Sequence, residues 1–180
     1  MRLFTAIDLP AGIKLRLSAL LERLRPMAKL SWTVPEHLHV TIKFIGEWPD
    51  PRLDEMKRAL AAVPRPGPIE LAVRGLGWFP DDRNPRVFWA GIEASPKLYT
   101  LAHDTGQSLA SLGVVLETRE FHPHLTLARR KNPVPIDRLR REIAEISSAD
   151  FGGVHSESFF LYLSKGGKYV KLNEFPLISI

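Results

Sequence analysis

The 180-residue chain has no cysteine. That removes disulfide cross-links, thiol nucleophiles and any thiolate-bound metal, and it fits a reducing compartment. Nowhere do about 18 uncharged apolar residues follow one another, so no membrane-spanning helix is expected. The apolar opening Leu3–Ile7 is too short for a signal peptide. No low-complexity segment interrupts the chain. Charge of one sign is also scarce: 25 Lys and Arg stand against 20 Asp and Glu, a net +5, which admits a polyanionic partner without demanding one. Together these absences predict a cytoplasmic protein without a membrane partner. Its length lets it bury a core unaided by cross-links, as a monomer whose residues 1–180 form one domain.

What the chain does have is a repeated pattern. His37-Leu38-His39-Val40-Thr41-Ile42 returns as His122-Pro123-His124-Leu125-Thr126-Leu127, with His39 and His124 standing 85 residues apart. Apolar and polar residues alternate in both copies, which is the period of a strand buried on one face. His39 then shares a face with Thr41, and His124 with Thr126. One copy in each half of the chain predicts two similar lobes.

Around these motifs the pattern alternates between strand and helix. Leu3–Ile7 reads as a strand, and Asp8-Leu9-Pro10 as a helix entrance with Asp8 as the acceptor. Ile13, Leu17, Leu20, Leu21 and Leu24 follow as one helical face, ended by Pro26. Leu30–Thr33 is a short strand; Asp50-Pro51 opens a second helix through Leu53, Met56, Leu60 and Val63. Ile69–Val73 and Val87–Ile92 read as strands flanking a Gly- and Pro-rich loop that carries Trp78 and Phe79. Ser95-Pro96 opens a third helix, followed by a strand Val114–Leu116. Ile136–Ile146 is a fourth helix, and Phe159–Leu163 with Tyr169–Leu172 a hairpin across Lys165-Gly166-Gly167-Lys168. This order predicts an α/β chain with helices outside mixed or antiparallel sheets.

Two imidazoles can share one reaction at neutral pH, one as acid and one as base. Cleavage of a phosphodiester is a natural use. The base takes a proton from water and the acid gives one to the departing oxygen, while Thr41 and Thr126 donate to the non-bridging oxygens. A basic side chain would complete the cradle. Two other readings stay open. His37, His39, His122 and His124 could ligate zinc, although neither pair brings a carboxylate on its strand face and the threonines have no part in such a site. The chain could also be a basic RNA-binding module without turnover. His103 and His155 read as structural histidines. Lys43 shares parity with His39 and Thr41 and either faces the cleft mouth or is an ordinary exposed lysine. Phe4, Trp32, Trp78, Phe79 and Trp89 are candidates to stack on a base, most of them expected in the core.

His39-Val40-Thr41-Ile42 and His124-Leu125-Thr126-Leu127 resemble the paired His-x-Thr-x motifs of the two-histidine phosphoesterase superfamily. Arg2–Pro10 and Phe121–Arg129 look like its RNA 2′,3′-cyclic phosphodiesterase branch, once called 2′-5′ RNA ligase. The resemblance spans nearly the whole chain. It implies a bilobal α/β fold of two pseudo-symmetric lobes around a central cleft, with no cofactor or metal. It further implies opening of a terminal RNA 2′,3′-cyclic phosphate to a 2′-phosphate, and possible ligation with a 5′-hydroxyl as nucleophile. Carried over by position, His39 is the proton donor to the leaving O3′ and His124 activates water, while Thr41, Thr126 and Arg129 hold the phosphate. His37 and His122 would support the loops. Strict alternation from His124 puts Arg129 on the far face and Arg130 on the near one. A bulge or strand end before Arg129, or a contact made by Arg130, would resolve this; the resemblance favours Arg129.

Overall fold

A computed structural model describes residues 1–178. Two antiparallel sheets carry the site. The first has the order β3-β1-β8-β9, built from β1 (Arg2–Asp8), β3 (His39–Glu47), β8 (Ser158–Lys165) and β9 (Lys168–Pro176). The second has the order β2-β6-β5-β4-β7, built from β2 (Ser31–Trp32), β4 (Ile69–Phe79), β5 (Val87–Ala94), β6 (His124–Arg129) and β7 (Asp150–Ser156). The four helices are α1 (Ala11–Leu24), α2 (Leu53–Ala61), α3 (Pro96–Ala110) and α4 (Asp137–Glu145).

Two of the helices are exchanged between the sheets. α1 leaves β1 of the first sheet yet packs on β7 of the second, where Arg16 donates to the Phe151 carbonyl at 2.8 Å. Its buried face is the expected Ile13, Leu17, Leu20, Leu21 and Leu24. α3 leaves β5 of the second sheet and packs on β3 of the first, with α2 beside it. α4 joins α1 through an Arg23–Glu142 ion pair, and the turn that follows α4 is tied to β4 by the Leu76 amide on the Ser147 carbonyl. Each sheet thus has one helix-covered face and one open face. The buried side chains Leu3, Ile7, Val40, Phe88, Leu125 and Leu127 on the covered faces belong to a single apolar core. Among the described residues no helix is long and apolar enough to cross a membrane.

Several local expectations are corrected. Trp78 and Phe79 lie in β4, not in a loop; the glycines that suggest a loop, Gly75 and Gly77, sit inside the strand, at a register shift and under the Trp89 ring respectively. Val114–Leu116 forms no strand. Val114 is buried, but Val115 and Leu116 are exposed, so the apolar run has no sheet to join. β7 does not follow from the sequence pattern, because Gly152 and Gly153 break its alternation and only Phe151 and Val154 are buried. Asp8 does not cap α1, whose first turn has no side-chain cap; its carboxylate turns instead to Tyr162 and Lys171.

Candidate active site

The open face of the first sheet is set by the pairings of β1. Asp8 lies opposite His39, Ala6 opposite Thr41 and Phe4 opposite Phe44, with Ile42 as an extra residue between Thr41 and Lys43. That bulge reverses the alternation beyond Thr41. Lys43 is therefore turned to the covered face, where it is 8% exposed and its Nζ donates to the Val115 carbonyl at 2.7 Å. The cleft-mouth reading of Lys43 is thus corrected. Phe44 takes the open face instead, stacked on Phe4 with ring centroids 6.1 Å apart.

β6 repeats the device. Trp89 lies opposite Thr126 and Phe88 opposite Ala128, leaving Leu127 as the extra residue. The reversal buries both Leu127 and Ala128 and returns Arg129 to the face of His124 and Thr126. This resolves the parity conflict in favour of Arg129. The Arg130 guanidinium is turned away and donates to the Val134 carbonyl from Nε and Nη2 at 3.2 and 2.7 Å. The two bulges occupy equivalent positions, so each motif ends its His-x-Thr run with the same backbone step.

The two sheets come together at β3 and β6, whose Cα atoms come within 8 Å of one another. The first contributes His39 and Thr41, the second His124, Thr126 and Arg129. The ring of His124 donates from Nδ1 to the His122 carbonyl at 2.7 Å, and His39 likewise hydrogen-bonds the backbone of His37. In His124 this bond fixes the tautomer with the proton on Nδ1 and leaves Nε2 free to exchange one. His37 and His122 therefore act through their main chains. The His37 ring stacks on Tyr169 at 4.2 Å, while the His122 ring is exposed and 3.6 Å from Glu120. Among the described residues no three His, Asp or Glu side chains converge as a metal would require. His155 reads as expected, paired with Glu70 and, at 3.5 Å, with Glu157.

Burial dominates the electrostatics. It lowers the His39 pKa to about 4, against smaller raising effects from the His37 backbone bond and the Asp8 carboxylate. Burial also lowers His124, opposed by the His122 backbone bond and reinforced by the Arg129 charge. Both rings are thus neutral at pH 7 in the free protein. An anion between them would raise both, since an opposite charge favours the imidazolium.

Aromatic groups line both rings. Phe4 stacks on His39 at 4.8 Å and on Tyr162 at 5.3 Å, and Phe79 meets the His124 ring edge-on at 4.9 Å. Trp89 lies flat across the second sheet. A Cβ at Gly77 would stand 2.3 Å from its ring, so only glycine fits beneath it. Of the base-stacking candidates, Phe4 and Trp78 are buried, Trp32 packs edge-on against Phe88, and Phe79 and Trp89 remain at the site. Sequence reasoning missed the trio Asp8, Tyr162 and Lys171. Lys171 Nζ sits 2.6 Å from the Asp8 carboxylate, which also accepts from the Tyr162 hydroxyl; burial, and then that carboxylate, holds the phenol protonated. Period-two alternation in β8 and β9 places Tyr162 and Lys171 on strands, but nothing in the pattern says which strand meets β1.

Two antiparallel sheets, each offering a His-x-Thr strand on its open face, define the class of a two-histidine phosphoesterase. Residues 7–89 match the family model described as LigT like Phosphoesterase. An RNA 2′,3′-cyclic phosphodiesterase of Archaeoglobus fulgidus is 33% identical, covering 97% of this chain and 99% of that protein. Another, of Methanocaldococcus jannaschii, is 32% identical over 91% of each chain. A crystal structure of a Thermus thermophilus protein superposes with a TM-score of 0.79 at 30% identity, over 98% of both chains. The apo form of E. coli LigT, at 24% identity and a TM-score of 0.73, shares the fold. The chain belongs to the LigT-like phosphoesterase family, in the branch of the RNA 2′,3′-cyclic phosphodiesterases.

Proposed function

We propose that the protein hydrolyses terminal RNA 2′,3′-cyclic phosphates to 2′-phosphomonoesters by metal-independent acid and base catalysis. The observation that carries the reading is the pair of His-x-Thr strands in adjoining sheets, each ring braced by the backbone two residues earlier. The cyclic phosphate, held by Thr41, Thr126 and Arg129, raises the depressed pKa of His39 so that the ring enters the reaction protonated. His124 takes a proton from water as the water oxygen bonds to phosphorus. The P–O3′ bond breaks, and O3′ leaves with the proton from His39. The ester to O2′ survives, giving a 2′-phosphate and a free 3′-hydroxyl, and solvent returns the histidines to their starting states.

A 5′-hydroxyl in place of water would form a 2′-5′ linkage by the same steps. The names carried by the A. fulgidus and M. jannaschii relatives support the substrate class. The exchanged helices and the single core support one bilobal unit over residues 1–180. The corresponding cellular form is a cytoplasmic monomer, of which the cytoplasmic part fits a chain without cysteine. The test is product analysis on a short RNA ending in a 2′,3′-cyclic phosphate, with excess chelator present. A 2′-phosphate is expected; a 3′-phosphate would reverse the bond assignment, and activity abolished by chelator would favour the zinc reading.

A further inference from the structure

Beyond Arg129 the second sheet ends in a concave basic surface that the chemistry above does not use. A cavity of about 500 Å³ opens there, lined by Arg25, Lys29, Lys131, Ser31, Trp32 and Asn132 among others. Its lining contains three cations and no carboxylate. All three cationic side chains are exposed, and no ion pair among the described residues involves any of them. Some other basic side chains are paired: Arg23 is held by Glu142, Arg74 by Glu93 and Asp150, and Lys171 by Asp8. Three like charges gathered around a hollow repel one another unless an anion lies between them.

The register joins this hollow to the active site. Ser31 on β2 is the direct cross-strand partner of Arg129 on β6, so the two side chains stand on the same face. Lys131 follows two residues later, past Arg130, whose guanidinium is taken by Val134. A line of positive charge therefore runs from the phosphate-holding Arg129, across the edge of the sheet, into the pocket. We propose that the pocket formed by Arg25, Lys29 and Lys131 binds backbone phosphates of the RNA upstream of its cyclic end. It would let the protein prefer an oligonucleotide to a mononucleotide cyclic phosphate. This rests on the RNA reading of the active site above and extends it to substrate length.

The test pairs Lys29→Met and Lys131→Met in one protein and reads two quantities. The first is anisotropy of a labelled RNA ending in a 3′-phosphate, a probe that needs no turnover. The double variant should bind about tenfold more weakly or worse. The slope of log affinity against log salt should fall by about 1.4, from two lost contacts at about 0.7 each on a single strand. The second is kcat/KM on a 2′,3′-cyclic mononucleotide and on a hexanucleotide with the same end. Only the hexanucleotide should suffer, through KM. Unchanged affinity and salt slope would overturn the pocket whatever the turnover. An equal loss on both substrates would overturn it too, because the lysines would then be acting at the cyclic phosphate. If the wild type turned over neither substrate, the catalytic reading would fail while the anisotropy still decided the pocket. Inorganic phosphate competing as strongly as the RNA would mark the hollow as a free-anion site and overturn the upstream-backbone assignment.

Discussion

Replacing His39 with Gln should make the protein less sensitive to acid. The ring's pKa is about 4 in the folded protein, where burial disfavours its charged form, and about 6.5 in an unfolded chain. Below pH 6.5 the unfolded chain takes up a proton that the folded ring still refuses, so stability drains away as pH falls, until the folded ring also protonates near pH 4. Above pH 6.5 neither form is charged and the effect vanishes. The separation is worth about 3 kcal/mol in all, of which about 2.4 kcal/mol falls between pH 7 and pH 4.5. His39→Gln removes that component and leaves the other titrating groups in place. Urea unfolding of both proteins at pH 7 and pH 4.5 should show the stability difference moving toward the variant by about 2 kcal/mol. An NMR titration of the ring proton should find its midpoint near 4, shifting upward when inorganic phosphate is added. A stability difference identical at the two pH values would refute the argument from burial, as would a midpoint near the ordinary histidine value.

Other perturbations separate the roles drawn from the structure. His39→Ala and His124→Ala should each lower kcat on a cyclic-phosphate RNA by at least about 100-fold with the circular dichroism spectrum retained, and the wild-type profile of kcat against pH should be bell-shaped. A flat profile would exclude paired histidines. Arg129→Ala should cost about 100-fold or more in kcat/KM. Arg130→Ala should leave kcat/KM within a few-fold and appear as about 1 kcal/mol of lost stability instead, because it strips the Val134 carbonyl of its donor. Equal kinetic losses would restore the simple parity argument. Lys43→Met should leave turnover intact and lower stability by about 1 kcal/mol, measured by denaturant unfolding, because its ammonium serves the Val115 carbonyl. Gly77→Ala should slow catalysis by tilting Trp89 under Thr126, and tryptophan fluorescence should report the displaced ring.

Much of this architecture was legible in the sequence, for identifiable reasons. The five buried residues of α1 follow helical spacing without interruption, and the His-x-Thr runs alternate cleanly, so both elements declare their inward faces. Lys43 and Arg129 were not legible, because a bulge is an agreement between two strands. Ile42 and Leu127 are ordinary apolar strand residues, and only the partners β1 and β5 reveal that each is supernumerary. Asp8 illustrates a second limit. Asp-Leu-Pro is a sound helix entrance, but Tyr162 and Lys171, more than 150 residues on, compete for the same carboxylate and win. The glycines of β4 show a third, since Gly77 serves the aromatic ring above it and not a turn.

The swap of α1 and α3 between sheets has a mechanical consequence. Each sheet is covered by a helix that follows a strand of the other, and a cut between β3 and β4 would divide both sheets as well, leaving β1, β2 and β3 on one fragment and β4 to β9 on the other. Neither fragment should be soluble alone, yet the two should reassemble when mixed. The same interlacing restrains the halves from swinging apart like the jaws of a hinge, so the gap between the two histidines is held by the weave of the chain itself.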